Sequence, residues 1–250
     1  MSRLLITGLS GTLAPHLAAQ AKAQGITVLP WPRQTVSPDD TAAGELFLSR
    51  MRPDAIAHLG MGSEAWAAQL AGYAARHALP LVFTSSAMVF SHEPPGPHRR
   101  EDPPQTSDEY GLYKQRCEAA IVAANPAAAI ARIGWQIDAA AHGNNMLAAL
   151  DQWQAQQGEV AASRAWIPAC SFMDDTAAAL LQLLLERASG LFHLDSNAVE
   201  AWRFDELVTA LARHFNRAWQ IRVHDDYRHD QRLLGNEACM PALSRRLRRP

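Results

Sequence analysis

Short apolar runs alternate with longer amphipathic segments through the first half of the chain. "LLITG" precedes a helical pattern over Thr12 to Gln24, "TVLPW" one over Gly44 to Met51, and "AIAHLG" one over Glu64 to His77; "LVFTSS" closes the series. The runs are apolar throughout instead of alternating, as strands buried on both faces require. A βαβαβαβ order calls for a parallel sheet whose helical crossovers are right-handed and cover both faces.

The pattern then changes. "SHEPPGPHRREDPPQTS" is too rich in proline for helix or central strand and reads as a loop. Thr106 and Glu109 have capping-box spacing, which predicts a helix starting near Thr106 and ending before Asn125-Pro126. "AAIARIG" and "GLFHLD" read as a fifth and a sixth strand, and "GNNMLAALDQWQAQ", "DDTAAALLQLLLERAS" and "RFDELVTALARHF" as helices. The last segment has no periodicity. The fold class expected is α/β, a doubly wound Rossmann-type parallel sheet with a small C-terminal substrate lobe. Weakening of the βα alternation near Ile137 divides the chain into a dinucleotide-binding core, 1–136, and a mixed region, 137–250, that adds a strand and helices to the core and builds the lobe.

Composition narrows the function. A formal net charge of -2 supplies no basic field, so neither nucleic acid nor an anionic membrane is expected as a partner. The basic tail "SRRLRRP" reads as a solvated face. Cys117, Cys170 and Cys239 are odd in number and lack CxxC spacing, against both a disulfide framework and a zinc site. The apolar N-terminal run is too short for a signal peptide, and Gln182 and Glu186 interrupt the longest apolar helix. A cytoplasmic protein without a membrane span is expected.

Candidate chemistry begins at "ITGLSGTLAPHLA". Gly8 and Gly11 follow the first strand and open a helix, where glycine lets the backbone approach a pyrophosphate and the helix N-terminus offers free N–H groups. Ala14 stands where a third glycine is usual, at a position that serves helix-to-strand packing. The second strand ends in "LPWPRQ", with Arg33 where an acidic ribose acceptor would sit. An arginine there can meet a 2′-phosphate, which favours NADP over NAD.

Tyr110 and Lys114 in "SDEYGLYKQRCEA" are four residues apart and share a helix face. With 4 tyrosines in the chain and only Lys22 and Lys114 as lysines, such a pair is unexpected by chance. A nearby ammonium and the helix N-terminus are expected to lower the phenol's pKa toward neutrality, while the ammonium's three compact donors hold ribose hydroxyls. Tyr113 is expected to point elsewhere. Ser85 and Ser86 end the fourth strand at the carboxyl edge of the sheet, where a hydroxyl can donate to a substrate oxygen.

Together "TGLSGTLA", "SSAMVF" and "YGLYK" resemble the extended short-chain dehydrogenase/reductase superfamily. "RPDAIAHLG", "YGLYKQRCE", "RIGWQI" and "HGNNML" are similar to its dTDP-4-dehydrorhamnose reductase branch. The resemblance implies a nicotinamide dinucleotide on the glycine loop and hydride transfer at a sugar carbon, with Tyr110 as acid or base, Lys114 on the ribose and Ser86 in the family's Ser/Thr place. It also implies that Thr12, Leu13, Gly60 and Met61 flank the dinucleotide and that Thr84 lies below the nicotinamide. Arg132, Trp135, Asn144, Asn145 and Trp166 are candidate substrate-lobe residues, with a structural role the favoured alternative for each.

The leading expectation is an NADP-dependent reductase or epimerase, with NAD possible, acting on a sugar nucleotide or related carbonyl compound, and able to form a homodimer. A non-catalytic dinucleotide sensor or accessory subunit is the alternative. It draws on Ala87 and Met88 in place of the branch's polar residues and on the short segment after "HLGMG". "HDDYRHD", His224 to Asp230, gathers possible metal ligands, but a solvated loop is favoured and no metal is expected.

Overall fold

The computed structural model describes residues 1–140 and 143–250. The first half follows the predicted alternation: β1 (Arg3–Thr7), α1 (Leu13–Ala23), β2 (Thr27–Pro30), α2 (Thr41–Met51), β3 (Ala55–His58), α3 (Glu64–Arg76), β4 (Leu81–Ser86), α4 (Glu109–Ala124) and β5 (Ala129–Ile133). Then come β6 (Trp135–Ile137), α5 (Met146–Gln157), β7 (Val160–Ser163), β8 (Trp166–Ile167), β9 (Cys170–Phe172), α6 (Met173–Leu185), β10 (Gly190–Leu194), α7 (Phe204–His214), β11 (Ile221–His224) and β12 (His229–Asp230).

A six-stranded sheet runs in the order β10-β5-β4-β3-β1-β2. β1 pairs in parallel with both β2 and β3, and β3 with β4. The chain therefore leaves β1 toward one edge and returns on the other side, and strand order reverses between β1 and β3. In doubly wound sheets that reversal opens a crevice beyond the strand carboxyl ends.

Two compact units emerge, each built from several stretches of chain. The first comprises 1–89, 107–132 and 177–192. Its core gathers Leu5, Ile56, Phe83, Trp66, Leu70 and Ile121; β1, β3, β4 and β5 bury both faces as their apolar runs require, while edge strand β2 is largely exposed. Within it Arg132, buried, binds Glu118 through two hydrogen bonds of 2.8 and 2.9 Å.

The second unit comprises 90–106, 133–176 and 193–250. Its core joins Leu147, Leu150, Trp202, Phe204, Leu207 and Leu211. Three short parallel pairs, β6 with β9, β7 with β11 and β8 with β12, supply its sheet structure. The proline-rich loop belongs here, where His98 N–H donates to the Arg232 carbonyl at 2.8 Å. The basic tail is paired, not merely solvated: Arg246 binds Asp175 and Arg249 binds Glu206.

α4 starts at Glu109, three residues later than the Thr106 capping box suggests. Asp108 is the N-cap, and its carboxylate accepts the Gly111 N–H at 2.8 Å. A carboxylate at the cap also meets the helix dipole, which a threonine hydroxyl does less strongly. Among the described residues no helix is long and apolar enough to cross a membrane.

Candidate active site

Gly8 follows β1 and Gly60 follows β3, on the two sides of the strand-order reversal. Gly8 holds φ +80°, and a Cβ there would lie 2.8 Å from the Gly60 nitrogen. No side chain fits between the two loops. Gly11 N–H donates to the Gly8 carbonyl at 2.8 Å, closing the turn that leads into α1. Thr12 is the N-cap of α1 and Leu13 its first residue, yet no side chain caps this helix. α2, α3 and α4 are capped by Asp40, Ser63 and Asp108. A glycine cradle ending in a helix start without a side-chain cap is an arrangement that a phosphate anion completes.

Thr7 fixes the neighbouring loop. Its Oγ1 accepts the N–H groups of Leu59 at 3.0 Å and Gly60 at 2.9 Å and lies 2.9 Å from His58 Nδ1. Burial, with the Lys114 charge adding, pushes the His58 pKa down to about 3. The ring is thus neutral, and with two N–H groups already directed at Thr7 Oγ1, the hydroxyl hydrogen goes to Nδ1. Arg33 lies past β2 and donates Nη1 to the Met61 carbonyl at 2.6 Å, its guanidinium 6.0 Å from the Trp66 ring.

α4 carries Tyr110 and Lys114 on adjacent turns. Lys114 is 3% exposed, and its Nζ donates to the Thr84 carbonyl at the end of β4 at 2.8 Å. The ammonium sits 5.6 Å from the ring centroids of both Tyr110 and Tyr113 and 4.7 Å from that of Phe83. One hydrogen bond leaves two of its three donors for other acceptors. Burial lowers the Lys114 pKa to about 8, against Cys117 and Glu118, which raise it.

The phenol departs from expectation. Partial burial, then the Asp108 carboxylate and Cys117, raise the Tyr110 pKa instead of lowering it. Burial disfavours the phenolate, the capping carboxylate of α4 two residues away adds to it, and the Lys114 ammonium is engaged by the Thr84 carbonyl. Tyr110 is therefore a protonated phenol at neutral pH. It keeps 43% of its surface exposed, open to a reactant.

Ser86, buried at the end of β4, accepts the Met88 N–H at 3.1 Å and retains its own hydrogen to donate. Ser85, on the opposite face, is also buried, and its Oγ has no hydrogen-bond partner. Thr84 is buried and contributes its carbonyl.

The substrate-lobe candidates separate. Arg132 takes the structural alternative: its buried guanidinium is held by both oxygens of Glu118. In the second unit Trp166 lines a cavity of about 310 Å³ with Trp153, Phe204, Tyr227, His224 and Ser163, and Trp135 stacks on Trp166 at 6.2 Å. Asn145 caps α5, accepting the Ala148 N–H at 2.9 Å, and Asn144 borders a separate groove. His142, in the "HGNNML" stretch, lies outside the described residues. Asp225 pairs with Arg164 and Asp230 with Arg232, so two of the possible metal ligands serve arginines. Sequence reading missed Thr7, Asp108 and Tyr113, whose hydroxyl accepts the Gly62 N–H. Only the position of Thr7, last in its strand and just before a glycine, hinted at its role.

The reversal-point glycine turn and the tyrosine-lysine helix define a Rossmann-type member of the extended short-chain dehydrogenase/reductase superfamily. Within it, this chain belongs to the RmlD substrate binding domain family, whose pattern matches residues 2–223. Its fold is similar to that of a dTDP-4-dehydrorhamnose reductase from Clostridium acetobutylicum (TM-score 0.79, 19% identity, covering 94% of this chain and 90% of that one). It is similar also to the dTDP-4-dehydrorhamnose reductase of Bacillus anthracis in complex with NADP (TM-score 0.81, 16% identity, 97% and 96% covered). A UDP-N-acetylglucosamine 4-epimerase from Bacillus cereus shares the fold as well (TM-score 0.74, 17% identity, 95% and 91% covered). No curated protein sequence matches the chain.

Proposed function

We propose that the chain is an NADP-dependent reductase acting on the keto group of a sugar nucleotide. One observation carries the reading: a buried lysine, fixed on the Thr84 carbonyl, stands one helical turn from a protonated, accessible tyrosine. Membership of the RmlD substrate binding domain family and the NADP bound to the Bacillus anthracis relative support it. The cradle of Gly8, Gly11 and Gly60 fits a pyrophosphate, since it excludes a Cβ and ends at the start of α1. Thr12 and Leu13, at that start, and Gly60 and Met61 would lie beside the dinucleotide, Thr84 would lie below the nicotinamide, and Arg33, now on the Met61 carbonyl, would meet a ribose 2′-phosphate.

When bound, the nicotinamide supplies the hydride that reduces the carbonyl carbon. Lys114 orients the adjoining ribose with the donors that Thr84 leaves over. Tyr110 gives its proton to the carbonyl oxygen as that oxygen gains charge, and water restores the proton to the phenolate. The raised pKa suits this direction, because the acid is fully loaded at neutral pH. Ser86 donates to the same oxygen. Three widely spaced cysteines without CxxC spacing favour a cytoplasmic setting.

Purified protein titrated with NADPH and NADH, then offered 4-dehydro sugar nucleotides, tests the reading. NADPH is expected to bind more tightly and to be oxidised, and Arg33→Ala to narrow the preference about tenfold. Dinucleotide binding without oxidation across the panel supports the accessory-subunit alternative. The apolar Ala87 and Met88 beside Ser86 favour that second reading.

The Lys114 pKa near 8 gives a further prediction. Contact with ribose hydroxyls and the anionic cofactor favours the ammonium, so binding raises this pKa and draws in a proton above pH 8. NADPH affinity should stay level below about pH 8 and fall above it, by up to roughly tenfold per unit. Lys114→Met should bind weakly at every pH without that slope. Titration calorimetry in two buffers of different ionisation enthalpy measures the uptake; equal apparent enthalpies at pH 9 would contradict it.

A further inference from the structure

Three successive residues after β3 are each held by a side chain from a different element. Gly60 N–H goes to Thr7 of β1, the Met61 carbonyl to Arg33 beyond β2, and Gly62 N–H to the Tyr113 hydroxyl of α4 at 3.2 Å. No helix or strand hydrogen bonding sustains residues 59–62, so these side chains fix the loop. Gly62 also lies against the Trp66 ring, where a Cβ would come within 2.3 Å of it. The loop in turn touches the glycine turn through Gly8 and Gly60.

Tyr113 precedes Lys114 in α4 and follows Tyr110 by three residues. Its ring packs against the core of the first unit, and its hydroxyl accepts the Gly62 N–H. Thr7 and Arg33 anchor the loop to the sheet side. Among the described residues, Tyr113 is the one whose side chain hydrogen-bonds this loop to the helix that carries the reacting groups.

We propose that Tyr113 is a positioning residue that locks the 60–62 loop to α4, so that the cofactor cleft is set, at a fixed spacing from Tyr110 and Lys114, before a dinucleotide arrives. The inference rests on the dinucleotide-binding reading above. A loop already in its bound geometry need not be ordered on association, and that saving appears as affinity. Burial and the Cys117 contact push the Tyr113 pKa up to about 12, so the hydroxyl keeps its hydrogen at working pH. Loss of the oxygen leaves the Gly62 N–H without an acceptor and frees the loop to move.

The test is Tyr113→Phe, which keeps the ring and removes the oxygen. NADPH titration by fluorescence should give a dissociation constant about tenfold higher, or 1.4 kcal/mol. The melting temperature of the dinucleotide-free protein should be unchanged, and the Gly62 amide should exchange faster with solvent than in the unmodified protein. A dissociation constant within about twofold of the unmodified value overturns the inference and leaves the dinucleotide reading intact. Absence of NADPH and NADH binding to the unmodified chain overturns both. If the variant fails to fold, the unmodified protein decides: a Gly62 amide exchanging at the rate of an unprotected loop overturns the lock, and a protected one sustains it.

Discussion

Tyr110→Phe is expected to lower kcat roughly 10³-fold while leaving the NADPH dissociation constant within about twofold. The phenol ring stays, and with it the contact 5.6 Å from the Lys114 ammonium. What is lost is the only hydrogen that Tyr110 can give to the nascent alkoxide. The carbonyl must then take its proton from water without a positioned donor, which costs about 4 kcal/mol at the transition state. Ser86 still donates a hydrogen bond but has no neighbouring base to reload it. The effect should fall on kcat alone, because the hydroxyl contributes nothing to the glycine cradle. Single-turnover oxidation of bound NADPH by a 4-dehydro sugar nucleotide measures it, and an unchanged rate removes Tyr110 from the chemistry.

Gly8→Ala is expected to weaken NADPH binding about 100-fold, on the order of 3 kcal/mol. Two costs coincide at this residue. Its φ of +80° lies in the left-handed region, where a Cβ costs roughly 1–2 kcal/mol. The same Cβ would meet the Gly60 nitrogen at 2.8 Å and its Cα at 2.9 Å, and backbone on both sides leaves nothing flexible to yield. The two loops must part, and the anion cradle opens. Gly25 separates the costs: its φ is +75° and a Cβ there meets nothing within 4 Å. Gly25→Ala should therefore lose only the conformational part, roughly 1–2 kcal/mol of stability, and bind NADPH normally. Equal binding by the two variants would show that Gly8 is only a turn residue.

Much of the fold was legible because burial on both faces writes itself as apolar runs. "LLITG", "AIAHLG" and "LVFTSS" became β1, β3 and β4, and the reversal of strand order then put Gly8 opposite Gly60. The second unit was less legible. Its pairs are two to four residues long, β8 with β12 being Trp166–Ile167 against His229–Asp230, too short for any periodicity. The interleaving of 90–106 and 177–192 between the units left no mark in composition at residue 137.

At the site, spacing alone put Tyr110 and Lys114 on one face, but it could not give the phenol's environment. Burial of the ring, with the Asp108 cap carboxylate adding to it, raises the phenol's pKa and reverses the expected direction. The partner that makes Arg132 structural, Glu118, lies 14 residues away on another element, which spacing does not show. Tyr113 escaped notice because a side chain bound to a peptide N–H leaves no pattern along the chain.

The structure of the NADPH complex is the most direct test of the whole account. The account predicts Lys114 Nζ still on the Thr84 carbonyl and, at about 3 Å, on the nicotinamide ribose hydroxyls, with the pyrophosphate over Gly8 and Gly11 and the Tyr110 hydroxyl facing the nicotinamide. A dinucleotide bound away from the glycine turn, or one that leaves Lys114 in contact with Thr84 alone, would contradict it.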